Sequence, residues 1–479
     1  MSFFNQIISY LTIRYITLCL TAPFFLAGCA QPSGIASPSH MISAASLAPG
    51  YAISSSERTK WPDEDWWSAY RDEQLNRLVA KAVTGNPRLQ AARNRIALAQ
   101  SMTDIRQADR QPQLGLDGSS SRDRFTALQF IPPPWAGGTF WNNSVAASLS
   151  FDLDLWGKRK SAWQSSLDEA KAVSAEAQEV RIELESAVVR GYIQLAKAYA
   201  ERDIAKMTLD HLEELAEIER RLKDAGMGTQ LTVNDREANL PLAKARLEEV
   251  NEEIAHLKNE IAALAGEGPG AMDEIRRPEL KLDEPAGLPD RLPANLIGRR
   301  PDVAASRWHV ESYRERIKAA KAEFYPDINL AALIGFQAIG FEQLLSKAAY
   351  IAGAGPALTL PLFDAGKREA GLSAANSEYG IAVDQYNETI VQAIREVSDQ
   401  LTAFRSATQQ KGEAEDHLQK EMTSGELAME AFRAGLTGFS NVLEAEDRVL
   451  EARENLTGVE ARQFEAYARL MLALGGGSK

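Results

Sequence analysis

Two periodicities divide the chain. From about Lys158 to Lys223 apolar residues recur at intervals of three and four (Leu195, Ala198; Leu209, Leu212, Ala216), and no proline interrupts them. That spacing predicts one long helix packed as in a coiled coil. At 1.5 Å per residue it would run roughly 100 Å, where a usual helix has about 11–12 residues. Just before it the period changes to two. Val145, Ala147, Leu149, Phe151 and Leu153 alternate with mostly polar neighbours, which is the strand period. Ile328, Leu330, Ala332, Ile334 and Phe336 repeat the pattern, as do Ala352, Ala354, Leu358, Leu360 and Leu362. A fourth segment after Pro112 is weaker, because Leu114 and Leu116 give way to Gly and Ser. Each segment is about 10 residues, the length of a tilted membrane strand. A soluble hairpin on a helical surface is the alternative reading.

The same order of elements occurs twice. Gly157-Lys158-Arg159 returns as Gly366-Lys367-Arg368, Ala225-Gly226 as Ala434-Gly435, and Gly266 as Gly475, all at an offset of 209. Pro87 and Pro301, and Pro112 and Pro326, are 214 apart. The extra five residues therefore fall between Pro112 and Gly157, in a longer first loop rich in aromatics (Phe125 to Trp141). The expected organisation is repeat 1 over 61–266, a linker over 267–292, repeat 2 over 293–475 and a tail over 476–479. Repeat 1 holds a helix, about Leu75 to Asp109, a strand pair over 112–155, and a long helix pair over 158–223 and 229–265. Repeat 2 holds a helix, about Ala294 to Glu323, a strand pair over 326–362, and helices over 367–433 and 439–474.

The N-terminus reads as an address. Ile16 to Ala27 is an apolar run behind Arg14, too short to span a bilayer, which takes about 20 residues. It ends in Leu26-Ala27-Gly28-Cys29, which looks like a bacterial lipobox. Residues 1–28 are then a signal peptide, Cys29 the lipid attachment point, and 29–60 a tether rich in Ser, Pro, Gly and Ala. Ala30, rather than Asp, beside the cysteine implies sorting to the outer membrane. Acylation anchors a protein without making it span the bilayer.

Composition narrows the function. Lys and Arg number 53 and Asp and Glu 66, a net charge of −13. Loss of the signal removes Arg14, and 52 − 66 gives −14. An acidic chain is a poor nucleic-acid binder. The five histidines show no metal-ligand spacing, and no cofactor is expected. No nucleophile elbow, phosphate loop or HExxH motif is present, so an enzyme is not expected. Four strands cannot close a membrane barrel, since the smallest have about 8, and lipid does not tolerate open edges. Membrane strands here would require several chains sharing one barrel.

Several stretches together resemble the bacterial outer-membrane efflux duct proteins of the TolC/OprM type, in the NodT-like lipoprotein branch. They are Trp66-Trp67 with Leu75, Leu78 and Asn86; Phe151-Asp152-Leu153-Asp154-Leu155-Trp156-Gly157; Leu292-Pro293 with Arg299-Arg300-Pro301-Asp302-Val303; Phe324-Tyr325-Pro326; Gly355-Pro356 with Leu360-Pro361-Leu362-Phe363-Asp364-Ala365-Gly366; Arg395-Glu396-Val397-Ser398-Asp399; and Ala434-Gly435-Leu436-Thr437. The resemblance implies a mainly α fold with a small membrane β part. It implies a homotrimer in which 3 × 4 = 12 strands form the barrel, and long helices form an α-barrel crossing the periplasm. It also implies a periplasmic adaptor and an inner-membrane pump, most often of the RND type. The turns Gly226-Met227-Gly228-Thr229 and Gly435-Leu436-Thr437-Gly438 would be the helix tips that meet the adaptor. Glu444 would stand in an acidic ring at the channel entrance, where Asp is commoner. Asn441 stands where some relatives have an acid, and Asp235 is the carboxylate 209 residues before Glu444. The expected function is a passive duct for drugs or other toxic small molecules. A protein-secretion duct and a pore-free coiled-coil lipoprotein are the alternatives.

Overall fold

The computed structural model describes residues 36–43, 46–47, 61–128, 131–282 and 299–477. The signal peptide, Cys29, most of the tether and the end of the linker lie outside them. The described elements are α1 (Glu73–Gly85), α2 (Pro87–Ala108), β1 (Gln113–Arg124), β2 (Thr139–Asp152), α3 (Lys158–Asp224), α4 (Gln230–Glu237), α5 (Asn239–Leu264), α6 (Pro301–Ala322), β3 (Asp327–Ile339), β4 (Tyr350–Thr359), α7 (Lys367–Arg433) and α8 (Phe439–Ala473). The fold is mainly helical with one four-stranded sheet. Helices α3 and α7 each have 67 residues and begin 209 positions apart, as the repeat requires.

Helix limits differ from the periodicity at three places, each with a proline. A single helix expected from Leu75 to Asp109 is divided at Asn86, which is extended (φ −69°, ψ 123°). Pro87 disfavours the helical conformation for the residue before it. Asn86 turns the break into a cap: its Oδ1 accepts from the backbone N–H of Arg88 at 2.8 Å and of Leu89 at 3.4 Å. In the second copy Arg299 is helical, Arg300 is not, and α6 begins at Pro301; the expected start at Ala294 lies outside the described residues. The helix expected over 229–265 is divided at Ala238. Pro241 has no N–H to donate to Glu237, four residues back, so the ladder loses a rung there.

The chain forms two compact units. One contains Ala97–Ala172 and Arg307–Gln385 with the described part of Met1–Met41; the other contains Ile42–Ile96, Val173–Ser306 and Tyr386–Lys479. Each unit takes segments from both sequence repeats.

The first unit holds the sheet, in the order β1-β2-β3-β4, all antiparallel. The register brings the alternating apolar residues onto one face. Leu114 lies opposite Leu149, which lies opposite Ala332; Leu116 opposite Ala147, then Ile334. Leu330 faces Pro356 and Ile334 faces Ala352. β1 is a full strand despite its weak apolar pattern, because its polar side chains bond across to β2. The hydroxyls of Ser119 and Ser144 are 2.8 Å apart, Ser120 donates to Asn143 at 2.6 Å, and Ser148 donates to Asp117 at 2.9 Å. Beyond the sheet the helices of this unit meet through small polar residues. The buried hydroxyls of Ser165 and Ser312 are 3.0 Å apart, and Thr103 donates to the Ser166 carbonyl at 3.0 Å.

In the second unit Tyr70 is fully buried and donates to the Phe464 carbonyl at 2.6 Å. Phe464 and Tyr467 meet its ring edge-on. Trp66, Leu75 and Leu78 from the sequence motif are buried with it. The two copies of the repeat are braced in the same way here. Asn86 Nδ2 donates to the Leu264 carbonyl at 2.8 Å, and Arg300 Nη1 donates to the Ala473 carbonyl at 2.9 Å. Asn86 and Arg300 are 214 apart, while Leu264 and Ala473 are 209 apart.

Candidate channel, gate and coupling sites

The motif Phe151 to Gly157 makes the passage from strand to helix. Asp154 has φ 44° and its carboxylate accepts from the backbone N–H groups of Arg159 and Lys160 at 2.9 and 2.8 Å, capping α3. Arg159 Nε donates to Asp152 at 2.6 Å and ties the helix start back to the strand end. In the second copy Arg368 Nε donates to Asp364 at 2.6 Å. Trp156 stacks on Tyr325 at 4.6 Å and donates to the Pro326 carbonyl at 2.8 Å, joining two of the sequence motifs.

The two long helices end in the same turn. After α3, Gly226 N–H donates to the Lys223 carbonyl at 2.9 Å and Met227 N–H to that of Leu222 at 2.8 Å. After α7, Gly435 donates to Phe432 and Leu436 to Ala431, both at 2.9 Å. This is the Schellman arrangement, whose left-handed residue is here Gly226 (φ 74°) or Gly435 (φ 72°). It leaves Met227 and Leu436 exposed at the apex, 74% and 78%. The turns then diverge. Thr229 caps α4 reciprocally with Thr232, whereas Gly438 offers α8 no side-chain cap. The second turn is instead closed by Phe432 against Phe439, 5.0 Å apart.

Asn441 and Glu444 lie three residues apart at the start of α8, both exposed, so they share one side of the helix. Val442, Leu443 and Ala445 are buried behind them. Asp235 is exposed on α4, a separate helix. Sequence reasoning missed a neighbour of this set. His211 on α3 is nearly buried, with Nδ1 2.8 Å from Glu446 and Nε2 3.6 Å from Asp447. Among the described residues no group of His, Cys, Asp and Glu could hold a metal ion.

A second charged cluster surrounds Arg300. Its guanidinium donates to both oxygens of Asp302 (3.0 and 2.6 Å), to Glu396 at 2.9 Å and to the Ala473 carbonyl. Two of the motifs quoted for the resemblance therefore meet in space. Glu179 on α3 lies in the same field. Burial, then the nearby carboxylates Asp302 and Glu183, push its pKa up to about 7 against the pull of Arg300; Glu176 on its own helix adds to the rise. A raised carboxyl favours the fold while protonated. Its stabilisation is complete below the ordinary value of 4.5 and is lost as pH rises to about 7. Glu179→Gln is expected to flatten that slope. The melting temperature of the purified protein, scanned from acid to neutral pH, should fall less in the variant than in the wild type. Parallel profiles would refute the assignment.

The apolar face of the sheet is exposed along its length. Leu114 (78%), Leu116 (76%), Leu358 (68%) and Ile334 (54%) all lie on it. The opposite face carries Asp117, Ser119, Ser121, Ser144, Ser148 and Asn329. Over β1 and β2 the sheet is apolar on one side and polar on the other, while β3 adds Ala331, Leu333 and Ile339 to the second face; the β1–β2 pattern suits a barrel wall between lipid and an aqueous lumen. Among the described residues no helix is long and apolar enough to cross a membrane.

The family model for the outer membrane efflux protein matches the chain in two stretches, residues 78–267 and 292–476. The chain belongs to the outer membrane efflux protein family. It is an outer-membrane efflux channel, and the family is one of transport channels rather than enzymes. This efflux protein is 41% identical over 362 residues to the fusaric acid resistance protein FusA of Burkholderia cepacia, across 75% of this chain and 68% of that one. It is 28% identical over 425 residues to the multidrug resistance outer membrane protein MdtP of Escherichia coli K12, across 87% of each. The crystal structure of the outer membrane protein VceC of Vibrio cholerae superposes with a TM-score of 0.80 at 30% identity, covering 88% of this chain and 100% of that one. Each of the two stretches matched by the family model contains one strand pair.

Proposed function

We propose that three copies of this efflux protein share one barrel of 3 × 4 = 12 strands and form the passive exit duct of a tripartite system. The observation that carries the reading is the open sheet: among the described residues β1 and β4 each leave an edge unpaired, and one face is apolar. Unpaired edges are not tolerated in lipid, and about 8 strands are the fewest that close. The helices extend into the periplasm. The turns at Gly226-Met227-Gly228-Thr229 and Gly435-Leu436-Thr437-Gly438 meet a periplasmic adaptor, and a pump of the RND type in the inner membrane supplies the energy. Their exposed Met227 and Leu436 offer an apolar contact, and a glycine lets a partner backbone come close. Glu444 of three copies narrows the entrance with Asp235 and Asn441, favouring cations through carboxylate repulsion. Cys29 carries the lipid that holds the N-terminus to the outer membrane.

The cargo on this reading is a toxic small molecule. Fusaric acid is the first to test, because a relative is named for resistance to it. A strain lacking the gene regains tolerance when given the wild type. Gly435→Trp is expected to fail in that assay while trimers form in normal yield. A side chain at Gly435 has open space and meets only the left-handed strain, about 1–2 kcal/mol. Lost trimers would make the turn structural, and unchanged tolerance with a lost secreted protein would favour protein export. In a planar bilayer Glu444→Ala should conduct more readily than the wild type. Inserted protein that conducts in neither form would overturn the duct.

A further inference from the structure

The apolar face of the sheet carries two arginines. Residues of one parity along β1 share a face, so Arg122 and Arg124 stand on the same side as Leu114 and Leu116. The side-chain bonds confirm the parity: Ser120 reaches Asn143 on this face, while Ser121, Asp123 and Asn142 bond to one another on the other. Asp123, the carboxylate between the arginines in sequence, is therefore turned away from both and is already engaged. Among the described residues Arg122 and Arg124 are in no ion pair, and both are exposed.

Their height explains why such charges are tolerated on a lipid-facing wall. Arg122 lies eight residues beyond Leu114 and Arg124 ten. A strand tilted by about 40° climbs roughly 2.5 Å per residue, so they stand about 20–25 Å above Leu114, at the far border of an apolar band about 25 Å tall. An arginine there costs about 0–1 kcal/mol, against about 2–4 at the midplane. The strand end carries an aromatic border as well. Trp141 lies opposite Arg122 and is tilted on Phe341 at 5.8 Å, and both are exposed. This is the end of the sheet where the hairpin loops lie, away from the start of α3.

We infer that Arg122 and Arg124 form a binding site for the phosphate groups of the phosphorylated glycolipid in the outer leaflet. The inference goes beyond the duct and rests on it only for orientation, with the hairpin loops outside the cell. Guanidinium groups match phosphate oxygens in pairs. Two of them, two residues apart on one face, present their donors about 7 Å apart, at the depth where lipid headgroups begin. The site fixes how deep the barrel sits and holds a shell of that lipid around it.

The test uses full-length purified protein exposed to bisphosphorylated lipid A, dephosphorylated lipid A or phosphatidylglycerol, with retained lipid measured by mass spectrometry. The wild type should retain bisphosphorylated lipid A about thirtyfold more than R122Q/R124Q, from two charges near a lipid surface. R122K/R124K should lie between them, and dephosphorylated lipid A should bind all three alike. Equal retention by the wild type and R122Q/R124Q would overturn the inference. So would an equal drop for phosphatidylglycerol, which would mean a site for any anionic lipid. Orientation is read separately by labelling Thr126→Cys with an impermeant maleimide on intact cells. Labelling only after permeabilisation would overturn the orientation and this site with it. Surface labelling with equal lipid retention would overturn this site alone.

Discussion

Gly266→Ala is expected to remove most of the folded protein from the outer membrane. A Cβ at Gly266 would stand 2.3 Å from the Gly85 carbonyl oxygen and 2.7 Å from its carbon. Both are backbone atoms, so no side chain can swing aside. Gly85 ends α1, and Asn86 beside it caps α2 and donates to Leu264. Displacing that corner therefore disturbs three helices. Gly266 also has φ 76°, which adds about 1–2 kcal/mol for any other residue. Overpacking against fixed atoms adds about 1–3, for a total of roughly 2–5 kcal/mol. Gly226→Ala is the control, since it has the same left-handed backbone (φ 74°) and open space around it. It should lose only the strain. Thermal melting of the purified variants, with the yield of membrane-inserted protein, separates them. Equal losses would mean that the approach to Gly85 does not matter. Gly475→Ala should resemble Gly266→Ala, because its Cβ would meet the Arg299 carbonyl at 2.8 Å.

The constant offset of 209 makes that equivalence legible in the sequence. It paired Gly266 with Gly475 and Gly226 with Gly435, and both pairs prove to be left-handed turns with matching bonds. The strands were legible where one face is apolar, as in β2 and β3. β1 was faint because hydroxyl and amide side chains replace apolar ones and satisfy each other across the ladder, which leaves no hydrophobic period to read. The helix breaks at Asn86 and Ala238 were missed for another reason. Apolar spacing continues through a proline, whereas the hydrogen-bond ladder does not. The charged clusters were the least legible. Arg300, Asp302 and Glu396 carry no spacing signal, because Glu396 lies 96 residues from the arginine it meets. His211 likewise meets Glu446 across more than two hundred residues. Periodicity records which face a residue is on, not which partner the fold will bring to it.

Arg300→Ala is expected to cost nearly as much as the glycine change, by an electrostatic route. The side chain is 9% exposed and holds two carboxylates and the last-turn carbonyl of α8. Its removal leaves Asp302, 23% exposed, without its fork of donors and returns a buried carbonyl with no partner. Breaking one side of a buried pair costs about 3–5 kcal/mol. Glu396 is 43% exposed and can recover water, so the lower end, about 3 kcal/mol, applies. Lysine should recover little, since a point charge cannot serve Asp302, Glu396 and a carbonyl together as a planar fork does. Glu179 supplies an independent readout. Arg300 is the group that holds its pKa down, so the variant should move that titration further up from about 7. The extra instability of Arg300→Ala should then be greatest at neutral and alkaline pH and smaller in acid, where Glu179 is protonated. A double variant with Glu179→Gln should lose part of that pH dependence while keeping the loss of the fork. If Arg300→Ala instead destabilises equally at every pH, the cluster acts through packing and the charged account of it fails.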